Sequence, residues 1–132
     1  MKKYAFITLC IVLLSSQLSA QNGYDIKFKI NGLKDTTAYL AYYFGSGQYY
    51  KDTTMVNDKG EAFFEGNDTL AHGMYSFIQN GAKQFDFFVT DQQFEMSSDT
   101  SNLISNMKVK ESFENEIFFE YMKFLSVFQH LR

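Results

Sequence analysis

The chain has 132 residues, with no proline, no tryptophan, a single cysteine, 15 phenylalanines and nine tyrosines. This length allows one domain with at most a short additional segment. With 45% hydrophobic and 20% charged residues, the chain is too apolar to be disordered. A single cysteine excludes an internal disulfide, a CxxC redox pair and a multi-cysteine zinc site. A net charge of −3 and a pI near 5.3 argue against a nucleic-acid partner, because phosphate binding needs a basic face.

Residues 1–20 have the three-part order of a secretory signal peptide. Two lysines follow the initiator methionine, an uncharged apolar stretch comes next, and mostly small or polar residues complete the segment. The apolar stretch is about half of the ~20 residues that a membrane-spanning helix needs. We therefore predict cleavage after Ala20 and export of the chain, with a retained N-terminal membrane anchor as the alternative. Because Cys10 lies in this segment, the mature chain would contain no cysteine.

The mature part of the chain consists of short alternating runs with turn residues between them. In the first run Tyr24, Ile26 and Phe28 fall on one face, and polar or charged residues fall on the other. Seven strands are predicted in this way: Tyr24–Ile30, Ala38–Phe44, Tyr49–Val56, Glu61–Glu65, Gly73–Ile78, Phe85–Val89 and Phe94–Ser98. Their spacing predicts one mainly β domain over residues 21–100, an antiparallel sandwich or barrel-like fold. The sequence Asn57-Asp58-Lys59-Gly60 predicts a hairpin between the third and fourth strands.

Residues 101–132 change period and predict a connecting loop followed by one amphipathic helix. Ser112 is a suitable N-cap, and two glutamates soon after it favour the positive end of the helix dipole. Large apolar residues then recur at helical spacing: Phe113, Ile117, Phe118, Tyr121, Phe124, Leu125 and Phe128. A stripe of this width must be buried, either against the chain's own sheet or against something that follows or binds. We therefore expect the helix to lead to a downstream domain.

The residues that could carry chemistry do not form a recognisable site. The two histidines, His72 and His130, lie far apart in sequence and have no second ligand at metal-binding spacing. No serine occupies a nucleophile elbow, and the glycine-rich stretch 45–47 is not followed by the lysine of a phosphate-binding loop. We predict no catalytic residue, no metal site, no cofactor and no enzyme activity. A hydrolase whose two carboxylates meet only in the folded chain is the alternative.

Aromatic residues concentrate between positions 39 and 50. Tyr39, Tyr43, Tyr49 and Tyr50 are predicted as an interface, because exposed tyrosines stack on sugar rings or give contact area to a protein partner. The alternative is that these rings pack under the neighbouring glycine-rich loop or against each other across strands.

Several stretches occur together in an order that is similar to a known family. They are the opening strand and turn 24–33, Tyr39-Leu40, Lys51-Asp52-Thr53-Thr54, the turn region 57–66, Gly73-Met74-Tyr75, and residues 109–116 before the aromatic helix. In these stretches the chain resembles the β-rich N-terminal domain of unknown function that precedes a thioredoxin-like domain in exported thiol-disulfide oxidoreductases of Gram-negative bacteria. The resemblance covers nearly all of the mature chain.

This resemblance implies a non-catalytic accessory domain in the periplasm or cell envelope, which positions or dimerises a redox domain or holds its substrate. The CxxC pair and cis-proline of the family belong to the thioredoxin-like part, and this chain has neither. The expected partners are a downstream thioredoxin-like domain, another protein or, as a homodimer, a second copy. A free-standing exported module that binds a glycan or protein through the tyrosines is the alternative.

Two further features follow from the resemblance. Glu111 departs from it, because the family often carries glycine directly before the residue equivalent to the N-cap. In some such bacteria, aspartate and threonine followed by threonine or an apolar residue form an O-glycosylation signal. Thr36, Thr53 and Thr69 lie in such sequences.

Overall fold

The computed structural model describes residues 23–130, and the predicted signal peptide lies outside the described residues. They form β1 (Tyr24–Asn31), β2 (Thr36–Phe44), β3 (Gly47–Val56), β4 (Glu61–Gly66), β5 (Gly73–Gln79), β6 (Ala82–Val89), β7 (Gln93–Asp99), β8 (Lys108–Lys110) and α1 (Phe113–His130). The predicted mainly β fold with a C-terminal helix is confirmed. The prediction of seven strands omits β8, because three residues with one apolar side chain carry no strand pattern.

The strands form two four-stranded sheets that enclose one core. The first sheet has the order β4-β1-β7-β8, and the second has the order β3-β2-β5-β6. Neighbouring strands are antiparallel except β1 and β7, which run parallel. This pair departs from the antiparallel prediction. The chain passes through the second sheet before it returns beside β1, and side-chain alternation does not record strand direction.

The turn at Asn57–Gly60 joins the two sheets and is not a hairpin, because β3 and β4 lie in different sheets. Its local chemistry matches the prediction: Gly60 has φ +79°, and its N–H donates to the Asn57 carbonyl at 3.2 Å. The Gly60 carbonyl then accepts a hydrogen bond from the Ile30 N–H at 2.8 Å, which starts the pairing of β4 with β1. A Cβ at this glycine would collide with the Ile30 carbonyl oxygen.

The core between the sheets is built mainly from phenylalanine. Phe28 is fully buried, and its ring centroid lies 5.0–5.8 Å from those of four other rings: Phe64, Phe77, Phe85 and Phe87. The predicted alternation in β1 is confirmed, since its four apolar side chains are all buried. Aromatic burial therefore stabilises this sandwich by the hydrophobic effect and by ring packing.

Two β-bulges change which side chains share the outer face of the second sheet. In β3, Lys51 is an extra residue, so that Tyr50 lies opposite Ala41. In β6, Gln84 is the extra residue, which brings Lys83 to the same face as Asp86. Each bulge interrupts the alternation on which the strand prediction rests.

Candidate protein-docking surface

Helix α1 begins as the sequence predicts. Ser112 is buried at the N-cap, and its carbonyl accepts a hydrogen bond from the Glu116 N–H at 3.0 Å. The residue before it, Glu111, has φ +64°, a left-handed conformation that favours glycine.

A buried asparagine joins the helix to the edge of the second sheet. The Asn115 Oδ1 accepts a hydrogen bond from the Phe88 N–H, and its Nδ2 donates to the Phe88 carbonyl, both at 2.7 Å. The same Nδ2 donates to the Ser112 Oγ at 2.9 Å. Because β6 is an edge strand, the side chain of Asn115 replaces a neighbouring strand at this point. The position of the helix is thereby fixed at its first turn.

Two further contacts hold the helix along its length. Phe119 is buried in the core, and its ring meets that of Phe85 edge to face at 6.2 Å. One turn later, the Lys123 Nζ donates a hydrogen bond to the Met107 carbonyl at 2.7 Å, just before β8. The helix therefore lies against the β6 and β8 edges of the two sheets, with a fixed rotation about its own axis.

The face of α1 that points away from the sandwich is apolar and exposed. Six large side chains on it are between 51% and 70% exposed: Phe113, Ile117, Tyr121, Phe124, Val127 and Phe128. Five of these belong to the predicted stripe, whereas the buried Asn115 and Phe119 do not. Among residues 23–130, no helix is long and apolar enough to cross a membrane.

The first half of this face forms an apolar groove beside β6. The groove is lined by Phe88, Phe113, Glu114, Ile117, Phe118 and Tyr121. The Phe88 and Phe118 rings pack edge to face at 5.1 Å. Glu114 is the charged residue of the lining, and a hydrogen bond from the Thr90 hydroxyl at 2.8 Å lowers its pKa. The groove is thus suited to an apolar surface with a polar group at its margin.

The predicted tyrosine interface is divided between two faces of the second sheet. Tyr39, Tyr43 and Tyr50 lie on the outer face, whereas Tyr49 lies on the other face beside Tyr42. The Tyr39 and Tyr50 rings stack on each other at 4.6 Å. Cross-strand contacts therefore occupy part of these rings, and Tyr43, Tyr49 and Tyr50 remain between 43% and 58% exposed.

Tyr43 belongs to a polar cluster on the same outer face. The fully buried Ser76 donates a hydrogen bond to Asp86, which also accepts from the Tyr43 hydroxyl at 3.0 Å and from the Lys83 Nζ at 2.9 Å. The Gln48 Nε2 donates to the Ser76 Oγ at 2.7 Å. Because Ser76 is fully buried, it is inaccessible to a substrate. The side chains of the cluster come from all four strands of this sheet, so their hydrogen bonds link these strands.

Replacing Asp86 with asparagine is expected to lower the free energy of unfolding by roughly 1–2 kcal/mol at pH 7. Burial raises the pKa of Asp86, but hydrogen bonds from Ser76, Lys83 and Tyr43 outweigh it and leave the pKa below its ordinary value. A lowered pKa in the folded state gives stability that is present above the unfolded pKa near 4 and lost as the pH falls through the folded value. The difference in the free energy of unfolding between the Asp86→Asn variant and the unmodified chain, measured with urea, should therefore be smaller at pH 3 than at pH 7.

Asp58→Asn is the matched control for this prediction, because Asp58 is exposed in the turn between the sheets. It should change stability by less than about 0.5 kcal/mol at either pH. An Asp86→Asn effect of the same size at both pH values would contradict the proposed charge dependence.

The other residues considered from the sequence do not converge on one site. Within residues 23–130, no three His, Cys, Asp or Glu side chains lie together in a way that could hold a metal ion. His72 is exposed in the loop before β5, and the side chain of His130 lies outside the described part of the chain. Thr53 and Thr69 are exposed, whereas Thr36 is half-buried at the start of β2.

Asn115 and Phe119, which hold α1 on the sandwich, are the residues that sequence reasoning missed. They are four positions apart and therefore share one face of a helix, which is the signal that could have identified them. An isolated asparagine in an apolar helix is otherwise read as a surface residue. Its partner, the backbone of Phe88, has no sequence signature.

Comparison with known proteins identifies the β-rich part of the chain. A family described as Domain of unknown function (DUF4369) matches residues 24–118. No significant match was found among curated proteins or among solved structures. The matched region covers both sheets and the first third of α1, including Asn115.

Proposed function

Since the chain belongs to the DUF4369 family of domains of unknown function, we propose its function from its own surfaces. It is a non-catalytic protein-docking module, and the exposed apolar face of α1 is its docking surface. The observation that carries this proposal is the two-sided helix. One side is held on the sandwich by Asn115 and Phe119, while six large apolar side chains face outward on the other.

The size of the apolar face supports docking to a protein surface. A single exposed leucine or phenylalanine is ordinary, but a contiguous row of large apolar residues on a monomer is a mark of an interaction site. Each Å² removed from water contributes about 25 cal/mol, so covering these side chains would strongly favour association. Because the helix is held at both halves, little conformational entropy would be lost on docking.

The partner system that we propose is an exported thioredoxin-like thiol-disulfide oxidoreductase. The resemblance of the β-rich part of the chain to the accessory domain of such enzymes supports this assignment. The chain has a single cysteine and no CxxC pair, so dithiol chemistry would belong to the partner. The role of this module is to position or dimerise the redox domain or to hold its substrate.

Binding to a thioredoxin-like domain from the same organism tests this proposal. The redox domain would be produced with both CxxC cysteines changed to serine and titrated into the 132-residue chain by calorimetry. We expect saturable binding that Ile117→Glu weakens at least tenfold, because a charge would be buried in the apolar face. Met55→Glu is the matched control, since Met55 is 60% exposed on β3, away from α1.

Two results would contradict the proposal. In the first, the chain binds no thioredoxin-like domain of the organism, and the exposed face of α1 binds no other protein. The other is dithiol-dependent reduction of insulin by the chain alone, since this module is expected to have no reductase activity.

A further inference from the structure

The exposed face of α1 has the spacing of a helix-pairing seam. Ile117, Tyr121, Phe124 and Phe128 are separated by four, three and four residues, which is the a/d spacing of a heptad repeat. Numbering Ile117 as d places the sandwich-facing Phe119 at position f. The seam therefore points away from the sandwich, where a second helix can lie against it.

We propose that the occupant of this seam is a second copy of the same chain, with the two α1 helices paired antiparallel. This inference rests on the proposed function and specifies its dimerising form: the second copy covers the docking surface, and a thioredoxin-like domain would bind there in competition with it. In the antiparallel a/d arrangement, Ile117 lies against Phe128 of the second copy, and Tyr121 lies against Phe124. The two-fold axis passes between the layer of Tyr121 and Phe124 and its symmetry-related copy, and the two sandwiches lie on opposite outer sides.

The distribution of charge along the helix selects the antiparallel orientation. Within α1, residues 113–120 carry three glutamates and no basic residue, whereas residues 121–130 carry one lysine and no acidic residue. Antiparallel pairing brings the acidic half of each helix to the half of the other that has no acidic residue, and it opposes the helix dipoles favourably. Parallel pairing would place the glutamates of both copies side by side.

The available area is sufficient for a dimer. Four of the six exposed side chains are aromatic, a type that buries about 150–250 Å² each, and all six are more than half exposed. Together they offer roughly 600 Å² per copy and about 1,200 Å² in the pair. Stable protein interfaces begin at about this size. Phe88 and Phe118, which also line the apolar groove beside β6, add further surface at the ends of the seam.

The oligomeric state of the 132-residue chain tests the pairing. Sedimentation equilibrium with a reducing agent should give twice the mass of one chain at micromolar concentration. Tyr121→Glu should raise the dimer dissociation constant at least a hundredfold, because it places a charge in the centre of the seam. Met55→Glu should leave it unchanged. Circular dichroism of each variant shows whether the sandwich and helix remain folded.

Disulfide trapping tests the orientation, with Cys10→Ser in every variant. Ile117→Cys and Phe128→Cys chains would be oxidised separately and as a mixture. Antiparallel pairing predicts a disulfide between the two different variants only, because residues 117 and 128 face each other across the dimer. A homodimer disulfide of Ile117→Cys alone would show parallel pairing and overturn the orientation, since two cysteines can be bridged only when their Cα atoms lie within about 7 Å.

The outcomes separate this inference from the proposed function. A chain that stays monomeric at all concentrations, or a dimer that Tyr121→Glu does not weaken, overturns self-pairing along the seam. If that monomer binds a thioredoxin-like domain through Ile117, the proposed docking function stands with a different occupant. If neither association occurs, both proposals fail.

Discussion

Replacing Phe28 with alanine is expected to lower the free energy of unfolding by about 4 kcal/mol. The side chain is fully buried, and four phenylalanine rings from three other strands surround it. Truncation removes the transfer free energy of the ring and leaves a cavity that neighbouring aromatic rings are too rigid to fill. Because Phe28 lies between the two sheets, the loss should affect the whole domain as one cooperative transition.

Urea unfolding followed by circular dichroism and by tyrosine fluorescence measures this effect. Phe63→Ala is the matched control, because Phe63 lies on the outer face of the same sheet and is 42% exposed. Its replacement should cost about 1 kcal/mol or less. A loss for Phe28→Ala no larger than that of the control would show that the aromatic cluster does not stabilise the sandwich.

The strands could be predicted where one face of the strand is buried and the other is exposed to solvent. In β1, alternation is strict from Tyr24 to Asn31, and burial follows the same alternation. Periodicity of this kind depends on local backbone geometry alone, so it can be recognised in a single sequence. The helix start at Ser112 is predictable for the same reason, since N-cap chemistry is local.

The pairing of strands could not be predicted, because it depends on contacts distant in sequence. The turn at Gly60 has the residues of a hairpin, yet the conformation of its glycine is also compatible with a crossing between sheets. The parallel neighbours β1 and β7 are separated by five intervening strands. The bulges at Lys51 and Gln84 likewise depend on the partner strand, because the sequence alone does not show which residue is left without an opposite partner.

The docking surface could be predicted in part. The apolar positions of α1 and their helical spacing are visible in the sequence, but the rotation of the helix on the sandwich is not. That rotation depends on Asn115 and Phe119, which contact the edge and the interior of a sheet whose position only the fold provides. The stripe that the sequence predicts to be buried, against the sheet or against something that follows or binds, therefore lies largely on the side of the helix that faces away from the sandwich.

Replacing Asn115 with alanine is expected to lower the free energy of unfolding by about 3 kcal/mol and to loosen α1 from the sandwich. The substitution leaves the Phe88 N–H and carbonyl without their partners at 2.7 Å. Each buried polar group without a partner costs about 1–3 kcal/mol. Hydrogen exchange should therefore become faster for the amides of α1 than for those of β1, because the helix loses its attachment before the sandwich opens.

Two variants separate the hydrogen-bonding role of Asn115 from its packing. Asn115→Asp has nearly the same shape but replaces the donor by an acceptor facing the Phe88 carbonyl, so it should be destabilised as well. Glu120→Ala, an exposed change on the same helix, should leave stability within about 0.5 kcal/mol of the unmodified chain. If Asn115→Ala kept the amides of α1 as well protected as before, the asparagine would not position the helix. The outward face of α1 depends on this attachment, so loss of the asparagine should weaken docking even though the seam itself is unchanged.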